Sequence, residues 1–484
     1  MAGMCQSSFW CTYKGLITML LNIATLVLLS LWLGAMIGGL LLMRQAGRWR
    51  WIGLAIAVQG LILLVFQGLL STYPIGIGDP LIRVKFWDLL SQAAAVLGAL
   101  VLVAFVLWWL AKQVRYSIDQ QLHRRGLALL LLFGMPLIAT PAFYAMWQTS
   151  IPERERERNP DLRVINVPEG FEWSVYARGT MDNPTAIAFG AENELYIADI
   201  AGDLWIGRDQ NNDQQIDSLS KWAGDFDLLV GLVWRDGELY CASSGKIEAL
   251  RDSDGDGVAD SRRIVVDNLP SMILQPHSNN GLAFGPDGRL YFGVGSTTDG
   301  KFEENELAAS VLSVNPDGTD LRPYARGLGN VFDVAFNADG ALFGGDNGPS
   351  SVEGNDPPDE FNYLVEGEHY GYPYFFGDPP SDGGTRGALI SFPAHSVPTG
   401  VTFYSGNQYP QIYSDSAFLT LWQTGEVVHI EVGQTSNGDY LAKSTTFADG
   451  MLYPIDVITG PDGNLYIADF GTSAIYRITY NGVR

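Results

Sequence analysis

From residue 184 onward one pattern returns six times: a short apolar strand, a turn of Gly, Asp or Asn, and a second strand. The copies are "PTAIAFGAENELYIAD" (184), "LVGLVWRDGELYCASS" (229), "NNGLAFGPDGRLYFGVGS" (279), "VFDVAFNADGALFGGDNG" (331), "PTGVTFYSGNQYP…SAFLTLWQTG" (398) and "PIDVITGPDGNLYIADFG" (454). Aspartate and glycine tolerate the positive-φ positions of tight hairpin turns. Intervals of about 45 to 67 residues leave room for four strands per unit, the spacing of a propeller blade. Six self-similar units predict an all-β, six-bladed β-propeller over 166–484. A β-sandwich would space its strands evenly without this self-similarity.

The innermost strand of a blade lines the central channel, and the first strand of each copy is assigned that place. Its hairpin brings the start of strand one and the end of strand two to the same mouth. Starts supply Asn183, His277, Asn330, His395 and Tyr453; ends supply Asp199, Ser244, Ser296, Asp346, Gln423 and Asp469. Polar groups from separate blades thus converge on one opening. Among the copies with a Gly-Pro-Asp-Gly turn, only the third carries a histidine just ahead of its first strand. A site on the axis needs one base, so His277 is the candidate general base, with a purely structural histidine as the alternative. Asp199, Asp346, Asn347 and Asp469 could hold one divalent ion there.

Ahead of the repeats the composition changes. Residues 1–150 carry ten Lys or Arg and three acids, leaving 20 basic and 50 acidic residues for 151–484. An acidic domain of that size repels phosphate and excludes nucleic acid as a partner. Four apolar runs, roughly 16–43, 51–71, 89–111 and 127–147, are each long enough to cross a bilayer of about 30 Å as a helix. A cleaved signal peptide would explain only the first. Arginine-rich loops follow the first and third runs, "RQAGRWR" and "KQVRYSIDQQLHRRG". The positive-inside rule then predicts a four-helix transmembrane domain, 1–150, in an integral membrane protein with both termini and the propeller extracytoplasmic. "IPERERERNPD" opens a solvated linker, 151–165. Cys5, Cys11 and Cys241 form no disulfide framework.

"RDSDGDGVADSRR" places Asp252, Asp254, Asp256 and Asp260 at positions 1, 3, 5 and 9 of an EF-hand-like loop, with the Val258 carbonyl at position 7. Arg263 stands where a bidentate glutamate belongs, so this is a loop-only variant. "RDQNNDQQIDS" repeats the idea with Asp209, Asn211, Asp213 and Asp217. Crowded carboxylates call for a cation, and Ca²⁺ with a structural role is expected; an acidic solvated turn is the alternative.

The segments "HSNNGLAFGPDGRLYFGVGS", "DNGPSSVEGNDPPDEFNYLVEGEHYGYP", "VPTGVTFY" and "PIDVITGPDGNLYIADF" resemble the glucose/sorbosone dehydrogenase family of PQQ-dependent sugar dehydrogenases. The similarity covers roughly 165–480. It implies a six-bladed propeller, His277 as general base, and cofactor contacts from Asn330, Asn347, Gly348 and Pro349. Gly348 and Pro349 would offer carbonyls to the Ca²⁺ that holds PQQ, and Asp359, Glu360 and Tyr370 match its acidic calcium-binding segment. The chain departs from the family at Gly329, Asn330, Val331 and Phe332, where an Arg-Asn-Pro-Gln run belongs. Tyr453 and Ile455 stand where two arginines meet the PQQ carboxylates.

Three functions follow from these residues. One is a membrane-anchored quinoprotein-like dehydrogenase acting on a sugar or alcohol, with electrons passing to membrane quinone. The others are a metal-dependent, lactonase-like hydrolase and a non-catalytic ligand-binding or sensory propeller.

Overall fold

The computed structural model describes residues 158–482 apart from 212, 272–278, 353 and 378–383. The four apolar runs, Cys5, Cys11 and His277 lie outside the described residues. Among those described, no helix is long and apolar enough to cross a membrane. The compact unit they belong to runs Glu157–Arg484.

Six four-stranded antiparallel sheets are arranged as blades. Their innermost strands are Pro184–Phe189, Gly231–Arg235, Asn279–Phe284, Val331–Phe336, Pro398–Phe403 and Pro454–Thr459, the first strand of each sequence copy. These six strands line a channel of about 680 Å³. The second strands, such as Leu195–Asp199, Leu290–Val294 and Leu465–Asp469, are buried along their whole length. Neighbouring blades cover both faces of each second strand, so its sequence reads as an unbroken apolar run rather than an alternation. Farther out the alternation appears, as in Ser218–Ala223.

The sixth blade is completed from the other end of the domain. Strand Phe171–Arg178 pairs with Ala474–Tyr480, Phe171 opposite Tyr480 and Arg178 opposite Ala474. The repeat pattern begins at 184 and does not announce this closure. Phe171 locks it, meeting Tyr409 edge-on at 4.8 Å and Phe447 at 5.1 Å, within a core shared by blades five and six.

Candidate functional site

Pairing brings strand-one starts and strand-two ends to one mouth, with Pro184 opposite Asp199, Val331 opposite Asp346 and Pro454 opposite Asp469. The three aspartates reach this level but do not converge. Each is buried and caps backbone amides of its own blade. Asp199 accepts from the amides of Asp182, Ala201 and Asp203 and from Trp205 Nε1 at 2.7 Å. Asp346 accepts from Gly329 N at 3.0 Å and Asn330 N at 2.7 Å. Asp469 accepts from the amides of Leu452, Tyr453, Gly471 and Thr472. The expected single-ion cluster of Asp199, Asp346, Asn347 and Asp469 is therefore corrected. The loop amides ahead of each inner strand need buried acceptors, and these carboxylates meet that need. Burial raises the pKa of all three, Asp346 furthest, with the charges of Glu360 and Asp359 adding to its burial.

Carboxamides join the blades at the same level. Asn280 Nδ2 donates to Asn330 Oδ1 at 2.8 Å and to the Val331 carbonyl at 3.0 Å. Asn347 Nδ2 donates to the carbonyls of Asn330 and Pro398, both at 3.1 Å. These donors fix the orientation of both amides, and the Oδ1 atoms of Asn280 and Asn347 are left buried without a hydrogen-bond donor. An orphaned buried acceptor costs about 1–3 kcal/mol, so both oxygens favour any hydroxyl or ammonium brought to them.

Beside Asn347 lies a cavity of about 10 Å³, the size of one water or ion, lined in part by Asp346, Gly348, Pro349, Glu360, Tyr370 and Tyr372. Four of the residues expected to bind calcium therefore do meet here: Gly348, Pro349, Glu360 and Tyr370. The Tyr370 hydroxyl is turned into its own blade, donating to the Tyr363 carbonyl and accepting from Val365 N at 3.0 Å. Tyr370 thus presents its ring rather than a ligand oxygen, which corrects that assignment. Asp359 does not line the cavity. Its two oxygens accept from Gly348 N at 2.9 Å and Val397 N at 2.8 Å, joining blade four to the approach to blade five. The carbonyls and carboxylates that remain suit a hard cation in kind.

Two residues of this rim were not among the expected site residues, although Tyr372 lies in a segment that carries the family resemblance. Glu303 accepts from the side chains of Ser296, Thr297 and Thr298 and folds the 296–303 loop onto itself. The Tyr372 hydroxyl accepts from Gly300 N at 2.6 Å and pins that loop. A third, Trp422, stacks on Tyr453 at 5.0 Å and leans on Phe470 at 4.8 Å. Its position at the mouth follows from Trp422 N donating to the Val397 carbonyl. Only the aligned depth of the second strands could have located it. His395 sits exposed at the edge, 3.8 Å from Asp356.

PQQ carries three carboxylates, and the described mouth does not fit it. Basic groups of the described residues on this side are engaged or exposed: Lys246 pairs with Glu248 at 3.4 Å, Arg326 with Glu306 at 3.6 Å, the Arg158 guanidinium bonds the Gly471 carbonyl, and Lys301 is exposed on its loop. Segments 272–278 and 378–383 contain no Lys or Arg. At Tyr453, one of the two positions where the sequence departs from the family's arginines, the wall is the Trp422–Tyr453 stack.

The two acidic loops lie at the opposite face and differ from each other. In the first, carboxylate oxygens of Asp252, Asp254 and Asp256 lie within 4.8 Å of one another. Asp252 accepts from Gly255 N and Gly257 N, Asp256 accepts from Val258 N, and Asp260 ties back to Ser253 N. In the second, Asn211 Nδ2 donates to Asp213 at 3.2 Å and to Asp217 at 2.8 Å, while Asp209 accepts from Gln214 N. Among the described residues Asp209, Asp213 and Asp217 do not bring three carboxylate oxygens within 4.8 Å of one another as the first loop does.

Residues 157–371 match a family described as a domain of unknown function, DUF7133. An uncharacterized protein of Borreliella burgdorferi is 24% identical over 356 residues, 66% of this chain and 92% of that protein. Among solved structures, a proposed oxidoreductase (glucose dehydrogenase) of Thermus thermophilus is 22% identical with a TM-score of 0.55, covering 64% of this chain and all of that one. The PQQ domain of Coprinopsis cinerea pyranose dehydrogenase, in its holo form, is 15% identical, TM-score 0.56, over 66% of this chain and 98% of its own. The PQQ-bound aldose sugar dehydrogenase of Streptomyces coelicolor is 17% identical, TM-score 0.52, over 65% of this chain and 99% of its own. At these identities the likeness is one of fold: an all-β six-bladed propeller.

Proposed function

We propose that the propeller binds a sugar or sugar alcohol at the mouth of its channel. The observation that carries this is the pair of buried, donorless carboxamide oxygens on Asn280 and Asn347 in a mouth that also exposes part of Trp422. A sugar supplies hydroxyl donors for the first and an apolar C–H face for the second. The sugar-dehydrogenase fold of the similar structures supports the same class of ligand. Isothermal titration of the purified protein with neutral monosaccharides and alditols should give saturable binding, weakened roughly tenfold in Trp422→Ala, a loss of about 1.4 kcal/mol. No titratable heat with any of them would end this reading.

A second reading adds chemistry: oxidation of the bound sugar, with His277 taking the hydroxyl proton while hydride passes to an external quinone. It is favoured by the dehydrogenase-type fold and by Asn279, where the inner strand after His277 opens, standing at the mouth opposite Val294. Sugar-dependent reduction of an added quinone should fall roughly 10²–10⁴-fold in His277→Ala. His277→Gln should fail almost as badly, because an amide cannot take the proton. Wild-type turnover in His277→Ala would remove the histidine from the reaction.

A further inference from the structure

The chain enters the propeller on the mouth face. Arg158, the first described residue, donates from Nε to the Gly471 carbonyl at 3.1 Å. Gly471 lies just past Asp469, in the mouth-side turn between strands Leu465–Asp469 and Ala474–Tyr480. Further on, Arg163 Nε donates to the Gly450 carbonyl at 3.0 Å and Asn166 pairs with Asp449, both in the mouth-side connection from blade five to blade six. The other end of the domain lies at the opposite face, where Asn481 N donates to the Gly170 carbonyl beyond the Phe171–Tyr480 pair. Exposed apolar side chains sort by face as well. Among the described residues the exposed aromatics are Phe302, Tyr374 and Phe375, and all three stand on the mouth face. Phe302 belongs to the loop after the second strand of blade three. Tyr374 and Phe375 belong to a turn that reaches the mouth where Tyr372 N donates to the Gly327 carbonyl, and the Tyr372 hydroxyl ties that turn to Gly300 N. Leu162 and Val164 add exposed aliphatic side chains at another point of the rim, beside blades five and six. Away from the mouth the exposed large apolar residues are single aliphatics, such as Ile412 and Leu441, which call for no explanation.

We infer that the mouth face is a membrane-docking surface: Phe302, Tyr374 and Phe375 at one part of the rim and Leu162 and Val164 at another rest on a lipid bilayer, and the channel opens toward it. This does not depend on a sugar binding, and it rests on the apolar runs of 1–150 crossing a bilayer. The last run ends near 147, and the residues from there to Arg158 reach about 40 Å at full stretch. Turning the far face to the lipid would use much of that length in passing a blade, whose strands are about 17–20 Å tall. Docking by the mouth face uses none of it. Aromatic side chains are favoured at the level of the lipid headgroups. Glu304 and Glu306 are exposed beside Phe302, and 151–484 carries 50 acids against 20 bases, so an anionic surface would be repelled and the lipid is zwitterionic. A saccharide chain would also stack on exposed aromatics, but it gives no reason for Leu162 and Val164 to share their face with the entry of the chain.

The test uses the full-length protein in phosphatidylcholine proteoliposomes. Cys5→Ser and Cys11→Ser leave the buried Cys241 as the one native thiol. A nitrobenzoxadiazole label is then placed at Phe302→Cys, at Tyr374→Cys or, on the far face, at Ile412→Cys. All three side chains are exposed, so no substitution removes a core contact. A docked apolar face sits about 5–10 Å into the boundary between headgroups and acyl chains. Doxyl-labelled lipid should therefore quench the labels at 302 and 374 severalfold more than the label at 412, and neutral acrylamide in the buffer should show the reverse order. Lipid quenching that is equal at the three sites, or strongest at 412, would overturn the docking. Loss of the full-length protein from the vesicles on alkaline carbonate washing would overturn it as well. So would shielding of the labels at 302 and 374 by soluble dextran in detergent without lipid, which would make the rim a saccharide platform.

Discussion

Asp456 sits on the inner strand of blade six and accepts from Ile187 N of blade one at 2.8 Å; Asp333 does the same for Val401 N of blade five at 3.0 Å. Each leans on a glycine of the preceding blade. A Cβ at Gly281 would come within 2.0 Å of Asp333 Oδ1, and one at Gly400 within 2.8 Å of Asp456 Oδ1. These carboxylates fasten blades together along the channel. Burial pushes Asp456 up to about 6 and Asp333 well above the usual carboxylate range, the charge of Asp456 adding to the latter. A raised carboxyl pKa in the folded state means that the stabilising contribution is fully present below about pH 4 and is lost as pH rises through about 6. Asp456→Asn keeps an acceptor for Ile187 N and removes the titration. The stability difference between wild type and Asp456→Asn should therefore move by on the order of 1–3 kcal/mol between pH 4 and 7 in favour of the variant. Parallel melting temperatures across that range would show that Asp456 does not titrate there. Glu238, Glu248 and Asp462, held low by their arginine partners against burial, titrate in the opposite sense, so only the difference between the two proteins is diagnostic. The motifs "VFDVAF" and "PIDVIT" show the aspartates but not their task, because each partner amide lies in the next blade.

The two acidic loops separate what spacing can tell from what it cannot. Both carry oxygen-bearing side chains at the alternating positions of a calcium loop, and both sit between the third and fourth strands of a blade. Three carboxylates at positions 1, 3 and 5 of the first must repel one another unless a cation lies between them. In the second, Asn211 Nδ2 donates to both Asp213 and Asp217, which eases the repulsion between them. The first loop thus crowds three carboxylates where the second has two and a neutral amide, a difference in charge that spacing alone does not weigh. Chelation with EDTA should lower the melting temperature by several degrees, since a site held at 100 times its Kd contributes about 2.7 kcal/mol. Asp254→Ala should abolish the response and Asp213→Ala should leave it intact. A chelator response unchanged in Asp254→Ala would locate the ion elsewhere, with the cavity beside Gly348 and Pro349 next in line.

At the scale of the whole propeller, the six repeats fix the number of blades but not the way the ring closes. Repeats report local hairpins, whereas closure pairs strands some 300 residues apart, Glu172 with Thr479 and Trp173 with Ile478. The segment "FEWSVYAR" reads as an isolated strand with mixed polarity, because as the outermost strand of its blade it has a solvent edge. Its anchor is Phe171, whose ring is edge-on to Tyr409, Tyr413 and Phe447 and tilted against Tyr480. Those partners come from blades five and six, so truncating one side chain loosens two blades at once. Removing a buried phenylalanine costs about 3–5 kcal/mol, and Phe171→Ala should lower the urea midpoint of the full-length protein accordingly. If the ring unfolds as one unit, the transition stays single and the m-value is unchanged. If closure is the weak joint, a second, earlier transition should appear in Phe171→Ala. Val164, 76% exposed, supplies the control: Val164→Ala should leave the midpoint where it was. An unaltered midpoint in Phe171→Ala would mean that the first strand rides on the propeller without holding it shut.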